Sequence, residues 1–230
     1  MKLSIYPKRD ETFQEVRLDS SITKKIIPYE SFHSLKVSND FNVNIVFSET
    51  EEEIIIETNN NLHNYIHYEY VEGIFNIYKK HNLVFKGKQI LNLYVKSKPF
   101  FDFIAIDDSN ITVKSLIVSE HLDIKLNDDS TFSGKVKVQK GTITAKDDSK
   151  VKIEGHIENL NLRLSSDSEI KNYDLIVDHI KANLSGDSSA KLTVNNSIEC
   201  NAKGDSNFSY KGNAVVTEKN ISGGSSLKKK

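Results

Sequence analysis

The sequence predicts an all-β chain whose C-terminal part is a parallel β-helix, and three observations carry that prediction. One short pattern recurs seven times between residues 105 and 227: an apolar residue, two intervening residues, Asp-Ser, one free position and a second apolar residue. It reads Ala105…Asp108-Ser109…Ile111, Leu126…Asp129-Ser130…Phe132, Ala145…Asp148-Ser149…Val151, Leu164…Asp167-Ser168…Ile170, Leu184…Asp187-Ser188…Ala190 and Ala202…Asp205-Ser206…Phe208. The last copy, Ile221…Gly224-Ser225…Leu227, has Gly in place of Asp. Successive copies lie 21, 19, 19, 20, 18 and 19 residues apart. A fixed period near 20 marks a solenoid, whose units bury their apolar faces only against one another. Upstream of the Asp, apolar and polar residues alternate, as in Leu122, Ile124, Leu126 and Leu160, Leu162, Leu164. That is the period of a strand with one buried face, and no copy carries the i, i+3, i+4 stripe of a helix.

Taken in order, residues 1–29 read as a charged, irregular extension between Pro7 and Pro28, with one isolated echo of the repeat at Val16…Asp19-Ser20…Ile22. Residues 30–98 read as an all-β N-terminal half. Phe41, Val43, Ile45 and Phe47 alternate with polar residues, Glu53–Thr58 is a second strand, and Asn59-Asn60-Asn61 signals a turn. Ile66–Val71 and Ile74–Tyr78 flank Glu72-Gly73, a hairpin connection, and Ile90–Val95 is a further strand. Pro99 marks the passage into the coils of 99–230, expected to share one core with the N-terminal half. Each coil of about 20 residues should hold two or three short strands. The stack is expected to be right-handed, by analogy with parallel crossovers. Phe101 and Phe103 fall on the inward series, as does Cys200, a small core residue rather than a reactive thiol.

These residues resemble a known family. Tyr29 through Phe47 looks like its opening strands, Asn61-Leu62…Ile66…Gly73-Ile74-Phe75-Asn76-Ile77 like its next block, and the Ser/Gly/Asp corners at 108–225 like its closing coils. The family is the putative auto-transporter adhesin, head GIN domain group, and the resemblance spans roughly residues 29–227. It implies an extracellular, cell-surface or periplasmic location and an adhesin-like role, and it brings no catalytic residues to carry over.

Composition excludes other classes. With 31 Lys plus Arg against 32 Asp plus Glu, nothing steers the chain to nucleic acid or an anionic membrane. No stretch approaches the 18 apolar residues of a membrane-spanning helix. Met1 to Pro7 lacks the apolar run of a signal peptide, so the compartment is not legible at that end. The terminal Leu227-Lys228-Lys229-Lys230 reads as a guard against edge-to-edge pairing.

Two clusters invite a functional reading. The first three corners double their acid, as Asp107-Asp108, Asp128-Asp129 and Asp147-Asp148. Each Asp could cap its own turn. Stacked carboxylates could instead hold Ca²⁺, which takes oxygen-rich ligand sets. Tyr68 and Tyr70 share a strand face and could stack a sugar ring, or pack between the two halves. The histidines read as exposed: His63 and His67 form no metal motif, and His121 and His179 sit at similar positions two coils apart. No Gly-x-Ser-x-Gly, Gly-x-Gly-x-x-Gly or phosphate loop occurs. The expected function is therefore a non-enzymatic, adhesin-like surface or envelope protein, with a glycan or surface protein as partner and no cofactor beyond calcium. The alternatives are a carbohydrate-active lyase or glycosidase on a β-helix and a purely structural envelope protein.

Overall fold

A computed structural model describes residues 14–230; the reading of Met1 to Pro7 lies outside the described residues. The fold is a β-solenoid of about 7 turns made of stacked parallel coils. Five long strands form its body: β11 (Asn110–Leu126), β12 (Thr131–Ala145), β13 (Lys150–Ser165), β14 (Glu169–Ser185) and β15 (Ser189–Ala202). Each pairs in parallel with the next. The register is the one the repeat dictates. Ala105, Leu126, Ala145, Leu164, Leu184, Ala202 and Ile221 form one column. Ile111, Phe132, Val151, Ile170, Ala190, Phe208 and Leu227 form another. Except for Ile221 and Leu227, both columns are buried.

The coils differ from the expectation of several short strands. Hydrogen-bonded pairing runs almost continuously from one Asp-Ser corner to the next, and the bends in between are register irregularities such as Thr112/Leu116 and Val151/Gly155. The Asp-Ser corner interrupts the ladder where the chain turns through left-handed backbone, at two consecutive residues in the corners from Asp107 to Asp167 and at one glycine, Gly186 or Gly204, in later ones. Gly155 shows what a bend demands: its φ is +113°, and a Cβ there would lie 2.1 Å from the Val136 carbonyl oxygen of the preceding coil. Only glycine fits.

The stack begins earlier than residue 99. Strands β3 (Ser34–Ser38) and β4 (Asn42–Phe47) form a coil of their own. Val37 pairs with Ala105 and Val43 with Ile111. The chain then leaves to build β5 (Glu53–Asn59), a 3-10 turn at Asn60–Tyr65, β6 (Ile66–Val71), β7 (Ile74–Lys79), β8 (Leu83–Lys86) and β9 (Leu91–Ser97). β6 and β7 are the antiparallel hairpin expected around Glu72-Gly73, both at positive φ. β7 and β9 return in parallel onto β3 and β4, and β10 (Asp102–Ile106) starts the next coil. One buried apolar cluster runs from Leu18 to Ala214.

Two expectations are corrected. Residues 1–29 are not uniformly irregular: Gln14–Arg17 (β1) pairs with β8, and Ile22–Ile27 (β2) pairs with β5. β2 buries only Ile27, so the backbone ladder holds it and it carries no alternation to read. Of the junction aromatics, Phe103 and Phe100 are buried, whereas Phe101 is half-buried edge-on against His121. Alternation holds only from Asp102, where the strand starts.

Candidate functional site

The outward side chains also form columns, because a register that stacks the core stacks its surface. The doubled corners come first. Asp107, Asp108, Asp128, Asp129, Asp147 and Asp148 all have φ between 49° and 60°. Left-handed backbone is tolerated by Asn, Asp and Gly and penalised elsewhere, so the doubling has a conformational cause. The later corners change solution: Ser166-Asp167 keeps both residues left-handed, whereas Gly186 and Gly204 hold the positive φ before Asp187 and Asp205. Asn39-Asp40, at φ 71° and 67°, is the same corner on the coil below, with Phe41 where the others have Ser.

The corner carboxylates face solvent, and three of them meet a neutral or cationic partner. Asn39 Nδ2 donates to Asp107 Oδ2 at 3.0 Å, Asn127 Nδ2 to Asp128 Oδ2 at 2.5 Å, and Lys79 Nζ to Asp40 Oδ2 at 2.5 Å. Burial, and then the negative charge of Asp128, pushes Asp107 above the usual carboxylate range; burial and then Asp129 do the same to Asp108. Among the described residues no three His, Cys, Asp or Glu side chains gather so as to hold a metal ion.

The corner serines point inward. Ser109, Ser130, Ser149, Ser168, Ser188 and Ser206 are each 0 % exposed. Ser168 Oγ donates to the Ala145 carbonyl at 2.9 Å and accepts the Ser165 N–H at 3.0 Å. The hydroxyls of Ser109, Ser130 and Ser149 have no hydrogen-bond partner among the described residues.

Tyr68 and Tyr70 lie on one face of β6, half-buried against the core. The Tyr70 ring stacks on Phe75 at 4.9 Å, and its hydroxyl donates to the Pro28 carbonyl at 2.9 Å. Burial raises its pKa to about 12. Tyr70 thus packs on Phe75 and ties β6 to the Pro28 backbone. His121 and His179 share a column, but three coils apart rather than the two expected, through Lys140 and Asn159. His179 Nδ1 is 2.8 Å from Ser197 Oγ, but its Nε2 meets the Asn196 amide at 3.4 Å. Among the described residues no carboxylate orients that imidazole as a Ser-His-acid triad requires. Cys200 is buried, its thiol pushed up to about 11 by burial.

The sequence reading missed a recess of about 810 Å³ along the outward face just before the corners of the last coils. One wall is the column Thr144, Arg163, Asn183, Asn201, Asn220. The other includes Lys146, Ser165, Ser185, Lys203 and Ser222, two residues further along each coil. Asn220 Nδ2 donates to Asn201 Oδ1 at 2.8 Å, and Asn201 Nδ2 to Asn183 Oδ1 at 3.3 Å, giving an amide ladder. A signal existed: the first column recurs at intervals of 19, 20, 18 and 19 residues, in step with the corners.

With this architecture established, comparison with known proteins becomes specific. The sequence profile of the family described as "Putative auto-transporter adhesin, head GIN domain" matches residues 31–214. The chain belongs to this family. Solved structures of other proteins share its fold. A putative adhesin from Bacteroides fragilis superposes with TM-score 0.86 at 13 % identity, covering 93 % of this chain and 99 % of that one. A putative adhesin from Parabacteroides merdae gives 0.78 at 19 % identity, covering 94 % and 99 %. A putative lipid binding protein from Parabacteroides distasonis gives 0.75 at 12 % identity, also covering 94 % and 99 %. At such identities the likeness concerns the fold alone. Comparison with curated proteins returned no match. The GIN-domain match begins at residue 31, just before β3 and the first coil of the stack. No helix among the described residues is long and apolar enough to cross a membrane.

Proposed function

We propose that this GIN-domain chain is a non-enzymatic, adhesin-like protein of the cell surface or envelope that binds a partner along the outward face of its β-helix. The observation that carries this reading is the register of the outward column Thr144, Arg163, Asn183, Asn201 and Asn220, which sets polar side chains in a row beside an open recess. Rows about 4.8 Å apart suit an extended partner with a repeating structure, such as a glycan or a strand of a surface protein. Family membership supports the adhesin-like class. A glycan and matrix-protein array probed with the purified chain, with and without calcium, tests it. Selective retention on a subset of glycans or proteins is the expected result. Uniform lack of retention would leave a structural envelope role, and turnover of a retained polysaccharide would return the lyase or glycosidase alternative.

A further inference from the structure

We infer that the recess between Thr144 and Ser222 is a binding groove for an acidic polysaccharide, one bearing uronate carboxylates or sulfate esters. This deepens the binding role proposed above and rests on it.

Charge is the first argument. The lining holds four cations, Lys146, Arg163, Lys203 and Lys219, and no carboxylate. The chain as a whole carries a net charge of −1, so this is local segregation rather than a generally basic surface. None of the four enters an ion pair among the described residues, although Lys24, Lys79, Lys96, Lys125, Lys135, Lys171 and Lys181 do. Their charge is left for an outside partner.

Spacing is the second. Lys146, Arg163, Lys203 and Lys219 lie on four different coils, and the coil between Arg163 and Lys203 contributes Asn183 and Ser185. With coils about 4.8 Å apart, cations recur along the groove over a length of several sugar rings. A single phosphate or carboxylate would use one or two of them; a linear polyanion uses all.

The polar groups of the two walls supply the third argument. Asn183, Asn201 and Asn220 offer amide donors and acceptors, and Ser165, Ser185 and Ser222 offer hydroxyls. Sugar hydroxyls need both kinds of partner. No aromatic side chain lines the recess, so the stacking that carries single-stranded nucleic acid is missing.

The test uses the full chain, with polygalacturonate as the carboxylated probe, heparin as the sulfated one, dextran as the neutral glycan and polyvinyl sulfonate as a polyanion without sugar. Binding is measured by calorimetry at moderate salt. Polygalacturonate or heparin should bind, and which one does identifies the acidic group; dextran should not. Changing Lys146→Gln, Arg163→Gln and Lys203→Gln together should weaken binding at least tenfold. The charge-matched control Lys152→Gln, Lys171→Gln and Lys191→Gln should leave it within twofold. Asn183→Ala with Asn201→Ala should weaken the glycan but not polyvinyl sulfonate. Thermal midpoints of all variants report whether the stack is intact. Equal loss in the groove and control sets, indifference to the groove set, or no binding of either acidic glycan would overturn the groove assignment. Retention of other ligands on the array would still leave the adhesin-like role standing.

Discussion

The backbone N–H of Asp129 donates to the carbonyl of Asp147 at 2.8 Å, one coil on. The same bond joins Asp40 to Asp107 and Asp108 to Asp128, each at 2.8 Å, and Asp148 to Ser166 at 3.2 Å. A corner residue therefore has two tasks: to hold a left-handed backbone and to pass a hydrogen bond to its neighbour. Side-chain charge serves neither. Asp129, at φ 59°, should accept Asn with a change within about 0.5 kcal/mol. Asp129→Val puts a β-branched side chain in left-handed backbone and should cost at least about 1–2 kcal/mol. Urea unfolding of the two variants checks this, and equal losses would mean that the carboxylate matters more than the conformation.

The buried serine column makes a sharper comparison. Ser130 buries a hydroxyl with no partner among the described residues, whereas Ser168 donates one hydrogen bond and accepts another. A buried, unpaired polar group costs about 1–3 kcal/mol, and a made hydrogen bond contributes about 1. Ser130→Ala should be neutral or stabilising, and Ser168→Ala should destabilise by roughly 1 kcal/mol or more. Chemical denaturation of both variants decides, and a loss in Ser130→Ala matching that of Ser168→Ala would show that Ser130 is in fact bonded.

Much of this was legible in the sequence because a solenoid turns three-dimensional neighbours into sequence period. Asp108, Asp129 and Asp148 recur at the coil length, so stacking could be read before any contact was known. The limits have physical causes. The coil at Val37…Asp40-Phe41…Val43 went unread because Phe41 fills the serine column, and the conversion of a small polar corner to a large apolar one hides the pattern. The echo at Val16…Asp19-Ser20…Ile22 belongs to no coil: Asp19 accepts the N–H groups of Asn60 and Asn61, at 3.0 and 3.1 Å. The groove escaped because its members, from Thr144 to Asn220, differ in residue type. Their period carries position but no common chemistry, and only the structure puts the basic residues beside the amide ladder.

Core position should dominate stability. Leu164 is 2 % exposed, stacked between Ala145 and Leu184. Leu164→Ala opens a cavity between two coils and should cost about 2–5 kcal/mol. Lys152 lies on the outward phase of β13 and is exposed, so Lys152→Ala should stay within about 0.5 kcal/mol. Midpoints of denaturant unfolding compare the pair directly, and similar losses would reverse the facing assigned to β13.

The doubled corners make a prediction in pH and in calcium together. Asp107 and Asp108 have folded-state pKa values above the ordinary carboxylate value, through burial first and neighbouring aspartates second. For an acid with a raised folded pKa, the folded chain binds more protons than the unfolded chain over the window between the two values. Stability contributed by these groups is therefore greatest below the unfolded value, falls as pH rises through the raised folded one, and stays lower above it. Asp107→Asn with Asp108→Asn keeps the left-handed backbone and removes the charge. Relative to the unchanged chain, the double variant should gain in thermal midpoint as pH rises from the carboxylate range toward neutrality. Calcium discriminates the cause. A cation held by Asp107, Asp108, Asp128, Asp129, Asp147 and Asp148 would raise the midpoint by mass action, and Asp128→Asn with Asp147→Asn would abolish the rise. Because turn conformation accounts for the doubling and no metal-holding group forms among the described residues, millimolar calcium should leave the midpoint unchanged. A calcium-dependent rise that disappears in the Asp128→Asn, Asp147→Asn variant would make these corners a cation site after all.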